Sequence, residues 1–130
     1  MNSVIEETEK DYFMSEDGIQ YAGKHLIIDI HNASSLNDIT LMEAVFRECV
    51  EVSGATLLHI HLHHFTCSGG ITGVAALSES HISVHTWPER RFAAFDVFMC
   101  GGSQPEKVIP VIKKAFNPES IDVKEIKRGL

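Results

Sequence analysis

Residues 77–89 read LSESHISVHTWPE, a stretch dense in groups that can move a proton or attack a carbonyl. A serine hydroxyl becomes a nucleophile when a base stands within hydrogen-bond reach. Ser80 follows Glu79 directly, and His85 stands five positions on. If the segment is a strand, His81, Ser83 and His85 share one face while Ile82, Val84 and Thr86 share the other. A half-exposed strand with a polar outer face has the same alternation, so spacing alone does not choose between a site and a wet strand. The chain has no GxSxG elbow, which disfavours an α/β-hydrolase.

A second set of histidines lies at 59, 61 and 63 in ATLLHIHLHHF. On a strand these three share a face, but neighbours at that spacing stand about 7 Å apart, far for ligands of one ion. No carboxylate is interleaved with them, so the expectation is that no metal is held. The three cysteines, Cys49, Cys67 and Cys100, form no CxxC pair and suggest neither a zinc ribbon nor a disulfide framework. Their usage fits a reducing, cytoplasmic setting. Taken alone, Cys100 reads as a small apolar residue before a glycine turn.

These groups need a scaffold, and 130 residues are enough for one domain with a real core. The formal charge of −7 argues against a nucleic-acid partner, which would call for a basic excess. The N-terminal MNSVIEETEKDYFMSEDG is acidic and lacks the apolar core of a signal peptide, and no apolar run reaches membrane-spanning length. The expected organisation is an acidic tail or loosely docked arm over 1–20 and a single domain over 21–130.

Within that domain, residues 24–31 (KHLIIDIH) read as a strand. Leu41, Ala44, Val45, Cys49 and Val52 recur at helical spacing, predicting a helix capped by Asn37 or Ser35 and stopped at Gly54. Strands follow over 55–65, 71–77, 81–86 and 92–100. The third of these is broken by Trp87-Pro88, since proline lacks a ladder donor. A second helix over 105–117 carries Val108, Ile109, Ile112 and Phe116 on one stripe, with Pro110 expected to kink or delay it. Residues 121–126 close the chain as a strand. This order predicts an α+β two-layer sandwich: an antiparallel sheet with two helices on one face. The other face needs a cover, and dimerisation through the sheets is the simplest one.

The string Ser78-Glu79-Ser80-His81-Ile82-Ser83-Val84-His85-Thr86-Trp87-Pro88-Glu89 resembles the self-processing segment of the small prokaryotic pyruvoyl-dependent S-adenosylmethionine decarboxylases. Gly23-Lys24-His25-Leu26 resembles the start of that family's N-terminal strand. Ser53-Gly54-Ala55-Thr56 resembles its helix-to-strand turn, and residues 94–101 (AFDVFMCG) the strand that carries its active-site cysteine. These segments run in the right order from about residue 22 to the C-terminus.

The resemblance implies an enzyme whose cofactor is made from its own backbone. The Ser80 hydroxyl would attack the Glu79 carbonyl, and β-elimination would cut the chain into 1–79 and 80–130. Residue 80 would end as a pyruvoyl group, with no external cofactor. The pyruvoyl would form a Schiff base with S-adenosylmethionine, and CO2 would leave from it. The decarboxylated product would serve spermidine synthesis. His85 would assist processing as a base, Cys100 would donate a proton to the substrate, Glu89 would bind the ribose hydroxyls, and Phe65 would stack on adenine. The family's Mg2+-responsive members have no counterpart here in a carboxylate cluster. Two alternatives stay open: a pyruvoyl decarboxylase for arginine or ornithine, and an unprocessed non-enzymatic homologue.

One departure concerns Thr72, in Ile71-Thr72-Gly73, where the family often has serine as a processing hydroxyl. Threonine keeps the donor and acceptor but stiffens χ1. Processing is therefore expected to survive, more slowly. Intact-mass analysis after prolonged incubation checks this: only whole 1–130 chain would refute it.

Overall fold

The computed structural model describes residues 13–130. Its centre is a six-stranded antiparallel sheet built from β3 (Gly23–His31), β4 (Leu57–His64), β5 (Ile71–Leu77), β6 (Ser80–Trp87), β7 (Phe92–Cys100) and β8 (Ser120–Arg128). Their order across the sheet is β4-β5-β6-β7-β3-β8. The expected α+β sandwich is what forms. Both helices, α1 (Ile39–Ser53) and α2 (Val108–Phe116), contribute to one buried cluster against one sheet face.

Strand alternation decides which residues that face receives. Leu26, Ile28 and Ile30 of β3, Ile82 and Val84 of β6, and Ala93, Phe95, Val97 and Met99 of β7 are buried under the helices. From α1 they meet Met42, Val45, Phe46, Cys49 and Val50, and from α2 Val108, Val111, Ile112 and Phe116. The intervening residues, including His25, Asp96, His81 and His85, project from the opposite, open face. On that face Ile27, Val74, Trp87 and Ile126 are exposed apolar side chains.

Local chemistry explains where elements stop. Gly54 ends α1 in the left-handed region (φ 79°), its N–H reaching the carbonyls of Glu51 and Val50. The start of α1 corrects the sequence reading. Asp38 is the cap, its carboxylate accepting from the Leu41 N–H at 2.9 Å, while Ser35 sits in a turn at φ 61°. Of kink and delay, the bounds show the delay: α2 begins at Val108 and not at residue 105. A 3-10 turn over Pro105–Lys107 leads into the helix, and Pro110 falls in its first turn, where an N–H donor would have no intrahelical acceptor to lose.

The N-terminal arm is described from residue 13 onward. Part of the expected 1–20 arm is ordered: β1 (Met14–Glu16) and β2 (Ile19–Tyr21) form a separate hairpin, while residues 1–12 lie outside the described residues. Tyr21 is buried, and Glu16 pairs with Lys24 and Lys127 at 3.3 and 3.0 Å, tying the hairpin to one end of the sheet. Among the described residues, no helix is long and apolar enough to cross a membrane.

The Asp38 cap is testable. Asp38→Ala should lower unfolding stability by about 1 kcal/mol, and Asp38→Asn should change it little. Urea denaturation of both variants checks the pair, and equal loss in both would discount the cap.

Candidate active site

β5 and β6 are joined by a two-residue loop, because Leu77 pairs with Ser80 and leaves only Ser78 and Glu79 to turn the chain. Glu79 makes the turn in the left-handed region, φ 56°. For a residue with a Cβ, that conformation costs about 1–3 kcal/mol. The bond after it leads straight to Ser80.

Cys100, the last residue of β7, sits against this turn. Its thiol donates to the Glu79 carbonyl oxygen at 2.9 Å. Its backbone N–H donates to Ser80 Oγ at 3.3 Å, and its Sγ lies 3.8 Å from that oxygen. A hydroxyl, the carbonyl one residue before it and a thiol aimed at that carbonyl therefore meet at one point. A cavity of about 230 Å³ lined by Phe13, Ala22, Glu79, Phe98 and Cys100 opens beside them. Another, of about 320 Å³, reaches Cys100 from the side of Ser78 and Gly102.

Burial pushes the Cys100 thiol up. The Ser80 hydrogen bond works against that shift and the Glu79 carboxylate adds to it. The group is therefore a protonated donor at neutral pH, as a hydrogen bond to a carbonyl requires.

The other residues singled out by sequence gather elsewhere. Thr72 and His85 are register partners on β5 and β6, with Thr72 Oγ1 3.1 Å from His85 Nδ1. Trp87 lies beyond His85, ring centroids 6.4 Å apart, and Glu89 is exposed in the 3-10 turn that follows. Phe65 ends up exposed at the same end of the sheet, its ring against His63 at 4.6 Å. His85 is five strand positions from Ser80, so about 16 Å separates them along the strand. Within one chain the proposed base and the proposed nucleophile are apart.

The chain matches the family model for S-adenosylmethionine decarboxylase over residues 24–129. This chain belongs to the S-adenosylmethionine decarboxylase family. It is 48% identical over 111 residues to a Methanococcus maripaludis protein described as an S-adenosylmethionine decarboxylase proenzyme, covering 83% of this chain and 90% of that one. A Thermomicrobium roseum protein with the same description is 37% identical over 109 residues, covering 83% and 94%. The crystal structure of the adenosylmethionine decarboxylase from Aquifex aeolicus superposes with a TM-score of 0.74 at 29% identity, over 85% of this chain and 92% of that one. A Trypanosoma brucei AdoMetDC monomer shares the fold at TM-score 0.58 and 18% identity. This chain covers 52% of it.

Two residues that sequence reasoning passed over stand out in this S-adenosylmethionine decarboxylase fold. Asp96 binds His25 Nε2 at 2.6 Å and His81 Nε2 at 2.9 Å, in the middle of the open face. Neither Asp96 nor His25 has a local spacing signal, since the three residues come from three strands. The histidines at 59, 61 and 63 line the edge strand β4 and do not converge with a carboxylate among the described residues.

The thiols supply a test. Cys67 is exposed, Cys100 is buried with a raised pKa, and Cys49 is buried and pushed up to about 12. Iodoacetamide at neutral pH should modify Cys67 first, Cys100 slowly and Cys49 not at all. Because the Cys100 pKa is raised, its rate should keep climbing above pH 9.0, the ordinary thiol value. Peptide mapping across pH reads this out, and equal early labelling of Cys67 and Cys100 would contradict it.

Proposed function

We propose that this chain is a self-processing decarboxylase of S-adenosylmethionine, working through a pyruvoyl group made from Ser80. The observation that carries the reading is the contact of the Cys100 thiol with the Glu79 carbonyl beside the Ser80 hydroxyl. A donor on that carbonyl polarises it and would stabilise the oxyanion formed when Ser80 Oγ attacks. The strained backbone at Glu79 favours the same step, because breaking the amide releases the left-handed residue.

The covalent steps balance within the chain. Ser80 Oγ bonds to the Glu79 carbonyl carbon as its hydroxyl proton is lost, the Glu79–Ser80 C–N bond breaks, and the Ser80 nitrogen keeps its own proton and takes up that one to become an amine. A base then removes the Ser80 Cα proton and the Cβ–Oγ bond breaks, releasing Glu79 as a carboxylate. The dehydroalanine left behind becomes an imine and takes up water, ammonia departs, and fragments 1–79 and 80–130 remain. The pyruvoyl group, when formed, supplies the sink for the electrons left as CO2 departs from the substrate. Cys100, protonated and facing the residue 80 position, would return a proton to the substrate α-carbon. Glu89, with two acceptor oxygens, suits a ribose diol, and Phe65 offers a flat exposed face for adenine.

His85 is the group suited to take the Ser80 Cα proton, and Thr72 holds its ring. It does not reach Ser80 within one chain, so the proposed enzyme is a homodimer of cytoplasmic protomers packed through their open faces. An antiparallel apposition would carry the His85 end of one sheet over the Ser80 end of the other. The exposed Ile27, Val74, Trp87 and Ile126 supply apolar area for such a face.

Co-expression tests both parts. Ser80→Ala and His85→Ala chains made separately should stay whole or, for His85→Ala, cut at least about 100-fold more slowly, as for loss of a general base. Made together, only the His85→Ala chain should be cut, because its Ser80 would meet the other chain's His85. Mass spectrometry reads the fragments, and ¹⁴CO2 release from S-adenosylmethionine, arginine and ornithine reads the substrate. Cutting of Ser80→Ala at 79/80 would overturn the processing site. No rescue on co-expression would overturn the shared site.

A further inference from the structure

We propose that His25, His81 and Asp96 form a binding site for one divalent transition-metal ion of the zinc type, on the open face of the sheet. The geometry comes from the register of three neighbouring strands. Phe98 of β7 pairs with His25 of β3 on one side and with His81 of β6 on the other. Asp96 lies two residues earlier on the same strand face, so its carboxylate reaches diagonally to both rings. One oxygen takes His25 Nε2 at 2.6 Å and the other takes His81 Nε2 at 2.9 Å. One ligand atom from each of the three residues lies within 4.8 Å of the others.

The rings are held by packing as well. Phe98 meets His81 at 6.0 Å with the rings inclined by 30°, and His25 edge-on at 5.9 Å, forming an apolar wall behind both. A zinc ion bound at about 2.0–2.2 Å by nitrogen and oxygen needs ligand atoms only slightly regrouped from this arrangement. On binding, each imidazole presents its Nε2 lone pair, and any proton that Nε2 shares with Asp96 moves to Nδ1 or to solvent. The donor set sets the selectivity. Two imidazoles and one carboxylate suit zinc, nickel, cobalt or copper, whereas magnesium and calcium prefer oxygen alone. In a single protomer the side-chain exposures are 18% for His25, 38% for Asp96 and 41% for His81, so a fourth position would be left to water, another small ligand or a group of the facing protomer.

The site uses none of the groups assigned to processing, so it can be tested independently of them. Chelator-treated full-length protein is titrated with ZnCl2 by calorimetry, and Co2+ is added separately to follow its visible absorption. One equivalent should bind, and the Co2+ spectrum should show the strong bands of a low-coordinate N/O site. His25→Gln, His81→Gln and Asp96→Asn should each weaken zinc by at least about tenfold, since even supporting residues cost that much. His61→Gln on β4 and Ser80→Ala should leave binding unchanged. Thermal melts without metal identify any variant that fails to fold, and the remaining two then decide. The proposal is overturned by an absence of stoichiometric zinc, by binding that follows His61 instead of Asp96, or by Mg2+ displacing zinc at equal concentration.

Discussion

A six-stranded sheet has two faces, and among the described residues this chain supplies helices for one. That imbalance governs the rest of the molecule. The covered face takes the aliphatic half of each strand and makes a dry core with α1 and α2. The alternate half of the same strands is then obliged to face outward, and it carries histidines, Asp96, Thr72 and Trp87. Most of the titratable side chains of these strands therefore lie on the face that the fold leaves open. Any cover for that face has to accommodate both its polar groups and its exposed apolar side chains.

The same alternation sets the distances. Side chains on one strand face advance in steps of two residues, so groups that look adjacent in LSESHISVHTWPE are spread over much of the sheet. Ser80 belongs with Cys100, twenty positions away in sequence, because β6 and β7 run antiparallel and their ends coincide. His85 belongs with Thr72 for the same reason. Proximity in the chain was a poor guide to proximity in space, and register was the better one.

Much of the architecture is legible in the sequence. Residues 71–77 and 92–100 were read as strands with the bounds they have, and Gly54 was read as the stop of α1. Those signals are local: alternation, an apolar stripe, a left-handed glycine. The misreadings were also local, but competitive. Ser35, Asn37 and Asp38 can all cap, and only the turn geometry at Ser35 selects Asp38. The hairpin over residues 14–21 is short, and Glu16 holds it against Lys24 and Lys127 across strands, which no window along the chain can detect. Ser80, His85 and Cys100 stood out through a long motif. The Asp96 pair of contacts was invisible because its three members come from three strands, and only the register between those strands brings them together.

The position of the two-residue loop between β5 and β6 has one more consequence. These strands lie inside the sheet, each hydrogen-bonded on both sides. Cutting the chain between Glu79 and Ser80 would leave every ladder bond between them intact while removing the link that makes their pairing intramolecular. The folded molecule would barely register the change. Its unfolded state would become two diffusing pieces, so recovery after denaturation would fall with dilution and would be limited by encounter. The closed two-residue turn lets a single chain find this register. Once cut, the enzyme would depend on never having to find it again.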